Sequence, residues 1–421
     1  MHASRLIAGT LLALAACASE PVPQQAHPPV PTGPVAAHGL RCGTVWDPER
    51  GAIADGRILF DGERVSAIAA ADAVAAPSDE VDLRPLFCMP GLVDAHTHLT
   101  SYAREQATDG IDKRRAEATR NAELTLHAGV TSVRDLGGDE GVDLWLRKRI
   151  AAHAIEGPRM QCAGSQIGVD GAVGGPAAAR ASVDAHVSAG FDVIKLFATG
   201  GAHDPIPLLT PAEIAAATEE AHNKGVRVAV HAITAGGLDA SIAAHVDSIE
   251  HAQELTTAQA QQMASTGITL VPTLYILRYY IEDAEHLGFT AEHVADLHRM
   301  VDTLVVPFEG RFPAILATGV KIAMGSDAFM ALHGKNAREL GYMVRAGMTP
   351  EQAMKAATAT SAELLGWRGK VGTLAPGAFA DVIAVSGDPR KDVSVLEHVA
   401  VVVAGGKVVS DERLSQPQQA R

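Results

Sequence analysis

The apolar residues of this chain follow two different rhythms. Between residues 41 and 88, short alternating runs such as RILFDGERVSAIA are separated by Asp-Gly turns, a pattern typical of β-hairpins. From Val93 onwards, short apolar runs alternate with stretches of helical periodicity. Counting the run at Val93 as the first, eight runs occur, and the other seven are GVTSVRDLGG, PRMQCAG, FDVIKLFATGG, GVRVAVHAI, DSIEHA, GITLVPTL and GVKIAMGSDAF.

Eight consecutive strand and helix units are the repeat pattern of a TIM barrel, which we place at residues 89–370. The following segment, 371–412, returns to short strands with Gly and Pro turns, and it most simply pairs with the strands of residues 39–88. The sequence therefore predicts an α/β fold in which a (β/α)8 barrel carries a second, discontinuous β-sandwich domain.

The first residues predict an export signal. In residues 1–16 a lone Arg5 precedes an apolar run of signal-peptide length, too short to cross a bilayer. The run ends in Leu-Ala-Ala-Cys, which resembles a bacterial lipobox. We expect an acylated Cys17, a Pro-rich tether over 17–38, and an exported lipoprotein anchored in the membrane and facing the periplasm or cell exterior. The alternative is an ordinary signal peptide with an incidental Cys17.

Composition narrows the class of partner. The hydrophobic fraction of 47% is typical of a well-packed globular protein, and 35 basic against 49 acidic residues give a formal charge of −14. This charge argues against a nucleic-acid surface, so we expect a small-molecule substrate. We also expect membrane contact only through the lipid anchor, and a homo-oligomer. Cys42, Cys88 and Cys162 lack metal-ligand spacing and are interpreted as packing residues, with room for one disulfide.

Six polar residues fall where the predicted barrel strands end. In a TIM barrel these ends meet on the face that carries the active site, and a His-x-His pair on a strand points both imidazoles to one side. Each residue alone has a simpler role open to it: a buried histidine, a lysine reaching past the rim, or an aspartate that caps a helix. The six residues are His96, His98, Lys195, His231, His251 and Asp327.

With these residues in place, the chain resembles the amidohydrolase superfamily of metal-dependent hydrolases. The phrases that carry the resemblance include CMPGLVDAHTHL, DVIKLFATGG, DSIEHA and MGSDA, and the resemblance covers residue 41 to about residue 409. Within the superfamily, the phrases are similar to the binuclear-metal branch of Xaa-Pro dipeptidases, carboxypeptidase-like and ochratoxin-hydrolysing amidases, and imidazolonepropionase relatives.

The resemblance implies a role for each residue. The two histidines of the first strand, with Asp327, would hold the more buried of two divalent metal ions, and His231 and His251 would hold the other. Lys195, carboxylated by CO2, would bridge both ions, because a free ammonium cannot bind a cation. Zinc suits this donor set. Asp327 would also be catalytic, taking a proton from a hydroxide shared by the ions and passing it to the leaving amine.

Substrate contacts are predicted from position alone. Tyr275 follows the seventh strand, where the resemblance implies a substrate-facing tyrosine, and packing on the barrel rim is the alternative. Arg278 could hold a carboxylate, although a surface role is the simpler interpretation. Three further residues lie in loops on the active-site face, where solvation is the alternative, and they are Ser101, His203 and His333.

One segment departs from the pattern. Dipeptidase-like relatives carry a Gly-Gly-His element after the third strand, whereas this chain has Gly174-Gly175-Pro176. A larger leaving amino acid, or an N-acyl substrate in place of a free dipeptide, fits this change. The resemblance thus implies a metal-dependent hydrolase that cleaves the amide bond of a dipeptide-like substrate or an N-acyl amino acid, with ochratoxin-type amides as further candidates. The alternatives are a cyclic amide or lactone hydrolase of the same fold and a metal-free peptide-binding lipoprotein.

Overall fold

The computed structural model of the protein describes residues 35–36, 38–101, 110–138, 141–202 and 206–414. The predicted signal peptide, Cys17, all but the end of the predicted tether, and His203 lie outside these residues. In the part that is described, no helix is both long and apolar enough to cross a membrane.

Strands and helices follow the order that the apolar runs predict. The described strands are β1 Val35–Ala36, β2 Gly39–Asp47, β3 Gly51–Asp61, β4 Arg64–Ala70, β5 Val81–Pro90, β6 Leu92–Thr97, β7 Val130–Asp135, β8 Arg159–Cys162, β9 Val193–Phe197, β10 Arg227–Ala232, β11 Ser248–His251, β12 Thr269–Val271, β13 Val382–Val385, β14 Val399–Ala404 and β15 Lys407–Asp411. The described α-helices are α1 Ile111–His127, α2 Val142–Ala151, α3 Pro176–Ala189, α4 Pro211–Asn223, α5 Ala235–Ala243, α6 Thr257–Thr266, α7 Ile276–Glu282, α8 Ala291–Met300, α9 Val306–Leu316, α10 Arg338–Arg345, α11 Pro350–Lys355 and α12 Ser361–Leu364.

Strands β6 to β12 form a parallel barrel, which confirms the predicted fold class. Continuous ladders join β6, β7 and β8, and join β9 through β12. Ile167 bridges β8 to β9 through backbone hydrogen bonds with Lys195 and Phe197. The eighth barrel segment, 320–328, closes the ring. Its backbone bonds to Leu270 on one side and to β6 on the other.

The barrel strands are buried on both faces, which explains why their sequences read as nearly continuous apolar runs. Strands β6 and β7 have no exposed residue, and one apolar cluster extends from the strands to the surrounding helices. Helices α4, α6 and α11 each begin with a threonine capping box, at Thr210, Thr256 and Thr349. These caps define where the three helices begin.

The second domain is one mixed sheet built from both ends of the chain. Its order is β1-β15-β14-β13-β5-β2-β3-β4, with β2 and β5 parallel and the other neighbours antiparallel. The sheet curls around its own apolar core until Val65 of β4 hydrogen-bonds to the segment 377–378 before β13. A disulfide between Cys42 and Cys88 ties β2 to β5, and Cys162 is free and buried.

Candidate metal centre

Three side chains meet where the barrel closes. The Nε2 atoms of His96 and His98 lie 3.3 Å and 3.1 Å from Oδ1 of Asp327. One donor atom from each residue falls within 4.8 Å of the other two, which is close enough for a single cation. The two histidines come from the carboxyl end of β6, and Asp327 comes from the eighth barrel segment that hydrogen-bonds to it. The group can therefore hold a metal ion.

Backbone contacts fix Asp327 relative to the histidines. The backbone N–H of Asp327 donates to the carbonyl of His96 at 2.7 Å. Beneath this contact, the fully buried carboxylate of Asp94 accepts from the backbone N–H groups of His96 and Ser326 at 3.1 and 3.0 Å, and from the Asn336 amide at 2.9 Å. The carboxylate of Asp94 thus joins the eighth segment to β6 by hydrogen bonds, and this brings the ligand atom of Asp327 close to the two imidazoles.

A buried ion pair stands behind His96. The Nδ1 atom of His96 lies 2.8 Å from Glu250 Oε2, and Arg134 Nη2 donates to the other oxygen of Glu250 at 3.0 Å. Arg134 also donates to the carbonyl of Ala95 at 2.6 Å. All three side chains are at most 1% exposed. A carboxylate that accepts from Nδ1 leaves the Nε2 lone pair directed at Asp327, as a metal-binding histidine requires.

The other imidazoles are also oriented by oxygen partners. Ser101 Oγ donates to the carbonyl of Gly137, so that it can accept from Nδ1 of His98 at 3.5 Å. His231 Nε2 donates to the carbonyl of Gly200 at 3.0 Å, which leaves Nδ1 free. His251 Nδ1 lies 2.7 Å from Thr273 Oγ1. Each ring therefore has one nitrogen held and the other open to a cation.

His231 and His251 form a second pair beside the first group. Their ring centroids are 4.4 Å apart, and His251 lies 5.2 Å from His96 between ring centroids. The His231 ring stacks on Phe197 at 4.5 Å. Neither ring belongs to the three-residue group within 4.8 Å. The structure thus brings these two predicted ligands next to the buried group, and it keeps them a separate pair.

Lys195 is the unusual member of the site. Its side chain is 1% exposed, and its Nζ has no hydrogen-bond partner in the part of the chain that the structure describes. A buried amine without a partner is costly. Burial lowers the pKa of this amine to about 8. This amine therefore loses its proton more easily than the amine of an ordinary lysine. The neutral amine is the form that can react with CO2.

Burial also lowers the pKa of three of the candidate imidazole ligands. It lowers the pKa of His96 to about 4 and of His231 to about 3, with the Lys195 ammonium adding to both shifts, and it lowers the pKa of His251 well below its usual value. For Asp327, burial raises the pKa, but the adjoining imidazoles outweigh it and hold the pKa well below its usual range. At neutral pH His96, His231 and His251 are thus neutral imidazoles and Asp327 is a carboxylate, the forms that bind cations.

Backbone conformation sets this rim apart. His251, Thr273 and Asp327, at the ends of the sixth, seventh and eighth strands, all have positive φ, at 69°, 45° and 53°. Residues other than glycine seldom adopt this conformation, and such residues cluster at functional sites. The chain turns sharply at each strand end here, which aims these side chains inward.

The predicted substrate contacts are placed less uniformly. Tyr275 is 2% exposed, donates its hydroxyl to Glu282 at 2.7 Å and stacks on Tyr342, as in the packing alternative. Arg278 pairs with Glu309 at 2.8 Å. Ser101 contacts the ring of His98, and His333 is buried with a pKa lowered to about 3 by burial and by its neighbour His98. The structure therefore brings two of these residues to the metal group.

The segment that replaces Gly-Gly-His serves as a helix start. Gly174 and Gly175 both have φ of 97°, and Pro176 is the first residue of α3. The backbone N–H of Gly175 donates to Glu213 at 2.8 Å. This segment therefore has a structural role of its own.

Sequence reasoning missed the residues that orient the donors. Glu250, Arg134 and Asp94 lie within runs that are predicted as barrel strands, and a charged residue inside such a run was the available signal. A charged residue in a strand buried on both faces needs a buried partner. Its partner's identity depends on which strands are neighbours, which the sequence pattern leaves open.

Known proteins are similar to this chain in sequence. The profile of the amidohydrolase family matches residues 87–409. An uncharacterized protein of Mycobacterium tuberculosis is 30% identical over 329 residues, covering 76% of this chain and 84% of that protein. Ochratoxinase of Aspergillus niger is 29% identical over 370 residues, covering 76% of this chain and 75% of that protein.

Solved structures are similar to this chain in fold. A crystal structure of an Xaa-Pro dipeptidase with methionine bound in the active site has a TM-score of 0.80 and 30% identity, and the match covers 88% of this chain and 99% of that one. The crystal structure of A. niger ochratoxinase has the same fold, with a TM-score of 0.77 at 23% identity over 90% of this chain and 96% of that one. These matches confirm the predicted superfamily: the chain belongs to the amidohydrolase family and is a hydrolase that acts on amide bonds.

Proposed function

We propose that the protein is a binuclear metallohydrolase that cleaves the amide bond of dipeptides or N-acyl amino acids. The observation that carries the proposal is the meeting of His96, His98 and Asp327 within 4.8 Å, beside the buried amine of Lys195, which has no hydrogen-bond partner among the described residues. Such a donor set, with every imidazole already oriented, has no evident structural purpose apart from holding a cation.

The residues present fit two divalent ions. His96, His98 and Asp327 would hold the first, His231 and His251 the second, and Lys195 would bridge them as a carbamate. The ions, for which zinc suits the imidazole and carboxylate donors, would activate water and polarise the scissile carbonyl. Carboxylation accounts for the orphaned Nζ, because the added carboxylate converts a buried cation into a metal ligand.

Asp327 has the contacts of a proton carrier. Its Oδ1 faces the first two histidines, and its Oδ2 lies 4.0 Å from Nδ1 of His251. The carboxylate can therefore take a proton from the attacking water on one side of the site and deliver it to the leaving nitrogen. General acid–base catalysis of this kind contributes about 10²–10⁴-fold.

The proposed substrate class rests on the similar proteins and on the segment where Gly174-Gly175-Pro176 replaces Gly-Gly-His. An Xaa-Pro dipeptidase and ochratoxinase are both similar to this chain, and both names denote hydrolysis of an amide or peptide bond. Because Pro176 begins a helix where relatives carry a histidine, we favour a leaving amino acid larger than proline or an N-acyl group over a strict Xaa-Pro preference.

A hydrolysis panel tests the proposal. Dipeptides and N-acyl amino acids that differ in the C-terminal residue are incubated with the zinc- and bicarbonate-supplied enzyme, and bound metal is measured in parallel. We expect turnover of linear amides and two metal ions per chain. Exclusive turnover of lactones or cyclic amides would favour the alternative of the same fold, and protein without stoichiometric metal or turnover would refute the proposal.

We also infer that the protein is exported and anchored by an acylated Cys17. The disulfide between Cys42 and Cys88 supports export, because such bonds persist in oxidising compartments. The lipobox-like sequence before Cys17 supports the anchor. Mass spectrometry of membrane-extracted protein should find an acylated N-terminal cysteine at position 17, and an unmodified N-terminus elsewhere would contradict the anchor.

A further inference from the structure

A cavity lies on the barrel face opposite the candidate metal ligands. Its volume is about 1020 Å³. Thr131 and Arg159, which line it, stand at the amino ends of β7 and β8, whereas the histidines stand at carboxyl ends. The other wall comes from the second domain, at the β3–β4 and β14–β15 turns. This cavity therefore takes no part in the chemistry of the metal centre.

The cavity is cationic on a strongly anionic protein. Its lining contains three carboxylates, Glu63, Glu156 and Asp381, and six lysine or arginine side chains. Four of the cations have no carboxylate within 4.0 Å in the described part of the chain, and they are Arg64, Lys148, Lys370 and Lys407. Two others, Arg147 and Arg159, pair with Asp192 and Asp381. Because the whole chain has a formal charge of −14, a cluster of unpaired cations in one cavity indicates a site for an anionic ligand.

Two guanidinium groups are already in place. The Cζ atoms of Arg64 and Arg159 lie 3.5 and 3.4 Å from the ring centroid of Phe379, so that one guanidinium covers each face of the ring. Asp381 and the carbonyl of Gly377 hold them there. Fixed guanidinium groups recognise phosphate with little loss of side-chain entropy.

The remaining walls suit the apolar part of an amphiphile. Leu126, Ile150, Met160 and Trp367 line the same cavity as the lysines. A ligand that complements both the cationic and the apolar lining of the cavity carries a phosphate next to a hydrocarbon region.

The chain enters this face from its N-terminal segment. Ala36 of β1 pairs with Lys407, and Val35 pairs with Val408. Lys407 lines the cavity, so the segment that leads back to Cys17 leaves the second domain at the cavity rim.

We propose that this cavity binds the headgroups of anionic phospholipids in the membrane that holds the N-terminus. The inference rests on the proposed lipid anchor for its orientation, and on the charge and lining of the cavity for its chemistry. Bound in this way, the protein presents the opposite end of the barrel, with the metal centre, away from the bilayer. The anchor then supplies attachment, and the cavity supplies orientation.

Vesicle binding tests the proposal without the acyl chain. The full chain carrying Cys17→Ser is mixed with phosphatidylcholine vesicles with or without phosphatidylglycerol, at low salt. Substituting Lys148, Lys370 and Lys407 with glutamine should weaken binding to the anionic vesicles. The expected loss is about fivefold for each lysine, hence about 100-fold for the triple variant. The matched control changes Lys224, Lys335 and Lys355, outside the lining, to glutamine and alters the net charge equally.

The lysines of the cavity, rather than the overall charge of the chain, should determine vesicle binding. Equal binding to both kinds of vesicle, or an equal loss in the control, would overturn the proposal, as would glycerol phosphate that releases the protein from vesicles at micromolar concentration. Short-chain phosphatidylglycerol should change the fluorescence of Trp367, and Trp367→Phe should abolish that change. Failure of the anchor is detected separately by mass spectrometry of Cys17, so the two proposals can fail independently.

Discussion

At the scale of single residues, the candidate metal centre consists of imidazoles, each of which has one ring nitrogen already engaged by an oxygen partner. Glu250, the Ser101 hydroxyl, the carbonyl of Gly200 and Thr273 hold one nitrogen each. Such partners fix the tautomer and the ring direction before a cation arrives, which reduces the reorganisation that binding requires.

Asp327→Asn separates proton transfer from metal binding. The amide is nearly isosteric and keeps one oxygen as a weak ligand, but it cannot accept the proton. We expect kcat to fall by at least about 10²–10⁴-fold, with a much smaller loss of bound metal. Steady-state kinetics and elemental analysis on one preparation measure both. Near-normal turnover with metal retained would place the proton carrier elsewhere, and His333 would be tested next.

Lys195 should take up CO2 in a pH-dependent way. Only the neutral amine reacts with CO2, and burial lowers the pKa of Lys195 to about 8. The reactive fraction therefore rises as pH increases through about 8 and is lost below it. Metal-free protein in ¹³C-bicarbonate should give a carbamate signal at pH 9 that is much weaker at pH 6, and Lys195→Ala should give none. A signal unchanged in Lys195→Ala would refute the assignment.

The Glu250–Arg134 pair should control metal affinity through His96. Replacing Glu250 alone strands a buried guanidinium and costs about 3–5 kcal/mol of stability, so the informative variant is Glu250→Gln/Arg134→Met, which removes both charges. We expect this variant to fold and to bind metal about 10–100-fold more weakly. Chelator competition gives the affinity, and circular dichroism checks the fold. Parent-like affinity in the folded double variant would show that the pair only stabilises the barrel.

At the scale of elements, the eighth barrel segment determines whether the site exists. It carries Asp327 and passes so close to β6 and β12 that a Cβ on Gly325 would lie 2.3 Å from Val271 and 2.7 Å from Cβ of His96. No side chain fits there without moving the segment or the histidine.

Gly325→Ala should therefore damage the site from within. Overpacking of this kind typically costs about 1–3 kcal/mol, and the shift of His96 should also weaken metal binding. Gly341→Ala is the control, because a Cβ there meets nothing within 4 Å and alanine favours the helix. Differential scanning calorimetry and metal titration compare the two variants. A Gly325→Ala protein with unchanged Tm and affinity would contradict the tight closure.

The barrel elements were predictable because a strand buried on both faces has to be apolar, and helices between strands have to be amphipathic. The donors at strand ends were predictable for the same reason, since polar residues interrupt those runs. The parallel pairing of β2 with β5 was not, because hairpin signals report only sequential neighbours. The role of Tyr275 also depends on Glu282 and Arg338, whose proximity is a tertiary property.

At the scale of the whole molecule, the disulfide joins the second domain to the strand that leads into the barrel. Cys88 lies in β5, which ends at Pro90, and β6 begins at Leu92. A bond that closes a 46-residue separation restricts the unfolded chain, and native disulfides contribute about 2–4 kcal/mol.

Reductant should therefore lower the Tm of the parent protein. The double variant Cys42→Ala/Cys88→Ala should melt at a lower temperature than the oxidised parent, and added reductant should not change it further. Cys162→Ala is the control, because this thiol is free and the variant should keep the response to reductant. A parent Tm that reductant leaves unchanged would contradict the role of the bond. Melting curves with and without dithiothreitol provide the comparison.

The strand order of the second domain has a consequence for biosynthesis. The ribosome makes β2 to β5 first, yet β13, the partner that covers the free edge of β5, follows the entire barrel in the chain. Pairing across so large a sequence separation is slow, because the ends of a long loop must meet before any contact rewards them. The earliest strands to be translated are thus among the last to complete their sheet, and a nascent chain that stops short of β13 leaves that edge open to other chains.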